Sequence, residues 1–268
     1  MVKEKSFNPA KEIENICTWI KNYFIENGPN SKAVIGISGG KDSTVAAMLL
    51  IKALGNDRVV GVRMPESVQT DIDDALTVCT TLNIEHYEIN IGPTCKELYN
   101  AMMDNHLMIN DQITSNTPAR VRMAALYMVA SAVGGRVANT CNWSEDYVGY
   151  STKYGDAAGD FAILTSYAVR EVIAMGIVLA EEFGISNSLI AKAPSDGMCG
   201  KTDEDNLGFS YETLDSLLLD GIVSEYEVYK NIQERHKRNL HKLKAIRLPA
   251  PRAKVARDYH GWEERVTF

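Results

Sequence analysis

Residues 32–46 read KAVIGISGGKDSTVA. Val34-Ile35-Gly36-Ile37 is an apolar, β-branched run bounded by turn residues, the pattern of a strand buried on both faces. After it, DSTVAAMLLIKAL places Val45, Leu49 and Ala53 at helical spacing, with Asp42 near the start. Two glycines between strand and helix allow positive φ and a close backbone approach. A strand, a glycine turn and a helix in that order aim backbone N–H groups and the positive end of a helix dipole at one point. Phosphate is the obvious guest. The stretch is neither a Walker A loop nor GxGxxG. A glycine pair also serves turns that bind nothing, so the fragment alone leaves both readings open.

The 268 residues are 45% hydrophobic and 24% charged, which is globular composition and enough chain for one large domain. No apolar run is long enough for a transmembrane helix, and the charged start MVKEKSFNPAKEIENI lacks an apolar signal core. A cytoplasmic location is expected. Cys17, Cys79, Cys95, Cys141 and Cys199 are scattered without a CxxC pair, so a disulfide framework or zinc site is not expected, and buried thiols are. The net charge of −7 is uneven, because residues 235–257 hold nine Lys/Arg and no acid. That basic C-terminal segment, 235–268, could meet an anionic partner, another subunit or solvent.

Around the opening stretch, strand and helix patterns alternate. NPAKEIENICTWIKNYFIEN reads as an amphipathic helix with Ile13, Ile16, Cys17, Ile20 and Phe24 on one face and Asn8 as its cap. RVVGVRMP precedes the helix DIDDALTVCTTLN, IEHYEINI precedes TCKELYNAMMDNH, and the helix TPARVRMAALYMVASAV precedes the strand GRVANT. Repeated strand–helix steps fit an α/β fold with a doubly wound parallel sheet flanked by helices. PSDGMCGKTDEDNLGFS, residues 194–210, reads as a mobile loop of the kind that is often functional. YETLDSLLLDG and SEYEVYKNIQERHKRNL close the chain as helices.

The string SGGKDS resembles the pyrophosphate loop of the ATP-pyrophosphatase (PP-loop) enzymes, which split ATP between its α and β phosphates and adenylylate an oxygen of a second substrate. TCNWSEDYVGYSTKYGDAAGDFAIL narrows the resemblance to the NAD synthetase family, and NTPARVRM, APSDGMCGKTDEDNLGFSYETLD and ERHKRN match further blocks in the family's order. The resemblance spans nearly the whole chain and implies one domain over 1–268. It implies ATP-dependent amidation of nicotinic acid adenine dinucleotide by ammonia, through an acyl adenylate, with AMP and pyrophosphate released. It also implies a magnesium ion, a homodimer with substrate across the interface, and no nucleic-acid or membrane partner. The phosphate loop begins at residue 38, which leaves no room ahead of it for a glutaminase domain, so free ammonia is the expected donor.

Residue by residue, the resemblance implies that Gly36, Ile37, Ser38, Gly39, Gly40, Lys41, Asp42 and Ser43 cradle the ATP phosphates. Thr140 and Ser195 would also touch ATP. Asp42 and Glu145 would hold magnesium, since hard cations take carboxylate and phosphate oxygens. Arg120, Lys153, Asp160, His236 and Lys237 would contact the dinucleotide. Asp42 and Lys153 count as catalytic. So does Asp156, which would dock or deprotonate ammonium, or else form a turn. Asp203 and Glu204 fall in the expected loop. The chain departs from the family pattern where Ile163 and Val169 stand for a proline and an ATP-contacting lysine, and Arg170 is the neighbouring cation that could substitute. Gly197-Met198-Cys199-Gly200 departs in the loop.

Two other classes stay open on the sequence. A PP-loop enzyme that adenylylates transfer RNA would use the basic segment to grip phosphates. A non-catalytic nucleotide sensor would need no metal ligands. The helix TPARVRMAALYMVASAV is apolar nearly all round, which calls for cover from a subunit interface or from the core of one chain.

Overall fold

The glycine turn sits at the centre of a parallel sheet, in a computed structural model that describes residues 7–66, 72–191, 203–223 and 225–244. In chain order the elements are α1 (Pro9–Asn27), β1 (Lys32–Gly36), α2 (Lys41–Leu54), β2 (Val59–Arg63), α3 (Ile72–Thr81), β3 (Glu85–Glu88), α4 (Gly92–Asp104), α5 (Asp111–Val133) and β4 (Gly135–Asn139). There follow α6 (Trp143–Val148), the two-residue strand β5 (Phe161–Ala162), α7 (Val169–Phe183), α8 (Asn187–Ile190), α9 (Asp203–Leu207), α10 (Tyr211–Asp220) and α11 (Tyr226–Leu243).

The strands pair in parallel in the order β3-β2-β1-β4-β5. From β1 the chain winds outward to β2 and β3, then crosses back and continues on the other side with β4 and β5. The order therefore reverses between β1 and β4. Loops leaving two such strands part in opposite directions, and the crevice between them is where open α/β sheets take ligands. The doubly wound reading holds.

The side chains of β1 explain why it is central. Ala33 and Ile35 face a core built with α1, α2 and α7. Val34 faces the opposite core, with Val60, Val62, Val137 and the sheet-facing residues of α5. Period-2 alternation with both faces apolar is what a strand covered by helices on both sides requires. The stripe of α1 is buried as its spacing predicts, and the Asn8 side chain caps the helix by accepting from the Lys11 N–H at 3.1 Å. Cys17, Cys79, Cys95 and Cys141 are free, buried thiols.

Several expectations are corrected. α5 begins at Asp111, not at Thr117, because Asn110 caps it by accepting from the Ile113 N–H at 3.0 Å; Pro118 lies inside the helix. Only Pro118, Ala125 and Ala130 of α5 are fully buried, and Met128 is 72% exposed, so one chain does not cover this helix all round. IEHYEINI contracts to a four-residue edge strand. Residues 203–207 of the expected loop form α9, while 194–202, with Ser195 and the Gly197–Gly200 departure, lie outside the described residues. The basic segment divides likewise: 235–243 are the last turns of α11, and 245–268 lie outside the description.

Gly176 is where α7 meets α2. A Cβ there would lie 2.7 Å from Ile190 Cγ2 and 2.8 Å from Val45 Cγ2, both branched side chains with little freedom. Gly176→Ala is expected to destabilise the fold by roughly 1–3 kcal/mol through overpacking, read as a lower urea midpoint at unchanged slope.

Candidate nucleotide-binding active site

The turn after β1 is held by its own side chains. Gly39 has φ of 80°, in the left-handed region that favours glycine. Ser38 Oγ accepts from the Gly40 N–H at 3.2 Å and lies 3.1 Å from Ser43 Oγ. Ser43 and Thr44 both donate to the Gly40 carbonyl, at 3.2 and 2.8 Å. The first N–H groups of an α-helix have no acceptor within it, and here they open α2 beside a large cavity.

Asp42 stands in the first turn of α2. Its carboxylate accepts from Lys41 Nζ at 2.7 Å and from Asn142 Nδ2 at 3.1 Å. Asn142, fully buried, follows β4 and does two things at once. Its amide reaches Asp42, and its Oδ1 accepts from the Glu145 N–H at 3.0 Å, while Glu145 Oε2 accepts from the Asn142 N–H at 3.2 Å. That reciprocal pair is a capping box, and it fixes α6 with Glu145 facing the cavity. One asparagine thus couples the carboxylates that follow β1 and β4.

The electrostatics at this spot are those of two neighbouring carboxylates beside one ion-paired cation, Lys41. Burial, and then the neighbouring Asp42, push the Glu145 carboxyl well above its usual range, with Lys41 opposing. Lys41 is buried; that alone would pull its ammonium down, but Asp42 and Glu145 raise it above the ordinary value. Among the described residues, no group of three or more His, Cys, Asp or Glu side chains is arranged to hold a metal by itself. The set Asp42 plus Glu145 still fits magnesium, which commonly uses one or two carboxylates together with substrate phosphates.

The cavity beside this pair has a volume of about 1190 Å³. Gly36, Ile37, Ser38, Gly40, Lys41, Asp42, Ser43, Thr140, Glu145 and Asp156 line it, so the structure brings together most of the phosphate loop, both proposed metal ligands and the proposed ammonium residue. Asp156 stands in the STKYGD turn with an exposed side chain at the cavity wall, where its Oδ1 accepts from the Thr152 N–H at 2.8 Å; desolvation by the surrounding protein raises its carboxyl above the usual range and that hydrogen bond opposes the shift. Asp203 also faces in, whereas Glu204 accepts from the Tyr211 N–H at 2.8 Å.

Other expected residues are turned elsewhere within the described chain. Arg120 is exposed and reaches the Lys153 carbonyl at 3.4 Å, while Arg122 faces the cavity. Lys153 Nζ donates to the carbonyls of His241 and Lys244 at 2.6 and 3.0 Å, at the end of α11. Asp160 accepts from the Val137 N–H at 2.7 Å and from Tyr127 at 3.3 Å, tying β4 to the loop ahead of β5. Arg170 pairs with Asp220 through two bonds at 2.6 and 2.7 Å, so its side chain does not take the place of the family's lysine. His236 stacks on Tyr147, with ring centroids 4.1 Å apart, and Lys237 is exposed.

Reading the sequence misses Asn142, Arg122 and the cavity face of α11, formed by Arg235, Arg238, Asn239 and Lys242. Two signals were present: Asn-x-x-Glu is a capping-box spacing, and the α11 residues recur at i, i+3, i+4 and i+7. A family model described as NAD synthase matches residues 12–248. The NH(3)-dependent NAD(+) synthetase of Pyrococcus furiosus is 39% identical over 196 residues, 73% of this chain and 74% of that protein. Among solved structures, the NMN synthetase of Francisella tularensis superposes with a TM-score of 0.83 at 32% identity, covering 92% of this chain and all of that one. The NH3-dependent NAD synthetase of Campylobacter jejuni, in complex with nitrate, gives 0.71 at 27% identity, covering 91% and 100%.

Asn142→Ala removes a cap and a bond to a charged group. It is expected to destabilise the protein by about 2 kcal/mol or more and to weaken ATP binding by roughly 10- to 100-fold, as loss of a carboxylate's supporting partner does. Urea denaturation and calorimetric titration with ATP check the two effects separately.

Proposed function

The chain belongs to the NAD synthase family, and from that membership we propose that it catalyses ATP-dependent amidation of nicotinic acid adenine dinucleotide to NAD, with free ammonia as nitrogen donor. The observation that carries this reading is the meeting of Asp42 and Glu145 at the switch point, joined through Asn142 beside the phosphate loop. The relatives described above are synthetases of pyridine nucleotides, so the transfer RNA reading is not favoured.

Amidation needs a leaving group better than oxide. In the first step a nicotinate carboxylate oxygen attacks the α-phosphorus of ATP, the bond to the bridging oxygen breaks, and pyrophosphate departs. Ser38, Ser43 and the N-terminus of α2 hold the pyrophosphate, and Thr140 contacts the nucleotide; Ser195 is proposed to join it. Asp42 and Glu145 would hold a magnesium ion, which supplies neutralisation of the leaving charge when bound. In the second step Asp156 takes a proton from ammonium, ammonia attacks the acyl carbon, and AMP leaves. The chain's contribution is positioning and charge placement.

We further propose a cytoplasmic homodimer, with 1–268 acting as one catalytic domain and the 194–210 segment, α9 included, as its closing element. The exposed side of α5 supports the dimer. Arg120, Lys153, His236 and Lys237 do not line the cavity of their own chain, so they would contribute to substrate binding across such an interface. No helix among the described residues is long and apolar enough to cross a membrane.

A second reading is favoured by one observation, the high similarity to an NMN synthetase. On that reading the substrate is the mononucleotide, nicotinic acid mononucleotide. Incubation with ATP, magnesium and ammonium, with either acid as acceptor, separates the two. The first reading expects preferential NAD formation, ammonium sufficient without glutamine, and loss of activity on chelation. Asp42→Asn is expected to lower turnover by about 100-fold or more, comparable to removing a transition-state stabilising group. Preference for the mononucleotide would install the second reading, and no amidation of either would reject both.

A further inference from the structure

A basic face of α11 lines the cavity and has no role so far. Arg235, Arg238, Asn239 and Lys242 lie on one side of α11 and face the same space as the phosphate loop. α11 is seated against α6: Asn239 Nδ2 donates to the Val148 carbonyl at 2.9 Å, and a Cβ on Gly149 would lie 2.2 Å from Asn239 Cβ. The position of this face is therefore set by packing.

Its cations are poorly compensated. Arg235 donates to the Asn206 carbonyl at 2.8 Å and to Asn231 Oδ1 at 3.3 Å. Lys242 donates to the carbonyls of Gly149 and Ser151 at 2.7 and 2.9 Å. Those acceptors are neutral. The Arg238 side chain has no hydrogen bond or ion pair among the described residues. Burial lowers Arg235 and Lys242, repulsion from Arg238 lowers both further, and Asp156 is the acid that offsets this at Lys242. Three like charges held together at the wall of a cleft are stabilised by an anion placed among them.

The anion expected at the loop after β1 is ATP, whose phosphates fit that turn. The cavity exceeds the ~300–1,000 Å³ of a typical single-ligand pocket, leaving room for a second ligand. We propose that Arg235, Arg238 and Lys242 form a second phosphate clamp that binds the phosphate oxygens of the pyridine nucleotide and thereby aims its nicotinate end toward the ATP site. This rests on the proposed function for the identity of the ligand, and dinucleotide and mononucleotide share the chemistry involved.

Binding tests it without needing turnover. The full chain and its Arg238→Gln, Arg238→Lys and Lys230→Gln variants would be titrated calorimetrically with nicotinic acid adenine dinucleotide, nicotinic acid mononucleotide and, separately, ATP. Lys230 is an exposed residue of α11 outside the cavity and serves as the charge control. Arg238→Gln is expected to weaken the preferred pyridine nucleotide by about tenfold or more, as loss of a charge-assisted contact does. ATP affinity should stay within about twofold, Arg238→Lys should recover part of the loss, and added salt should narrow the gap. Equal weakening of ATP, an unchanged pyridine nucleotide affinity, or the same loss in Lys230→Gln would overturn the clamp. A wild-type chain that binds neither pyridine nucleotide would overturn both the clamp and the proposed function. A chain that binds one, loses it in Arg238→Gln and yet forms no amide would sustain the clamp and reject the function alone.

Discussion

Two carboxylates that repel one another, Asp42 and Glu145, are held at the head of adjacent parallel strands by one buried asparagine. Much of the fold around the cavity serves that placement. β1 is buried on both faces, which fixes the phosphate turn in depth. β4 pairs with β1 in register, Val34 opposite Val137, which fixes where Asn142 emerges. The capping box then leaves Glu145 no choice but the cavity. Like charges in a partly buried pocket are unfavourable in isolation. Lys41 relieves part of that in the free protein, and a bound divalent cation would relieve more. The unfavourable arrangement is what makes the pocket receptive.

A buried network supports α6 from behind. Ser144, beside Glu145, donates to Asp215 at 2.5 Å and accepts from the Val169 N–H at 3.1 Å, while Asp215 accepts from the Arg170 N–H at 2.7 Å. Asp215 thus caps α7 and ties α6, α7 and α10 together. An acid at a helix N-terminus is favoured by the helix dipole and by unpaired N–H groups, which partly offset the burial that raises the Asp215 carboxyl above its usual range.

Much of this was legible in the sequence. The β1 run, the α1 stripe and the strand–helix alternation predict the parallel sheet, and the glycine turn places its crevice. Asp42 and Glu145 were visible through their motifs. What the sequence could not convey is side-chain direction. Arg120 and Arg122 stand two apart on one helix, so they face different sides, and the structure turns Arg122 inward. His236 and Lys237 sit next to the cavity-facing positions of α11, yet His236 stacks on Tyr147 and Lys237 is exposed. Arg170 was the cation nearest a missing lysine in sequence, but Asp220 holds it. Helix starts were hidden in the same way, since Asn110 outcompetes Thr117-Pro118 as the beginning of α5.

The central claim is that the loop after β1 positions ATP for cleavage between its α and β phosphates by a pyridine nucleotide carboxylate. Exchange of labelled pyrophosphate into ATP, with ammonia rigorously withheld, tests it most directly. Adenylylation is reversible until ammonia arrives, so the account predicts exchange that requires both magnesium and the nicotinic acid nucleotide. Exchange indifferent to that nucleotide, or release of ADP and phosphate in place of AMP and pyrophosphate, would contradict it.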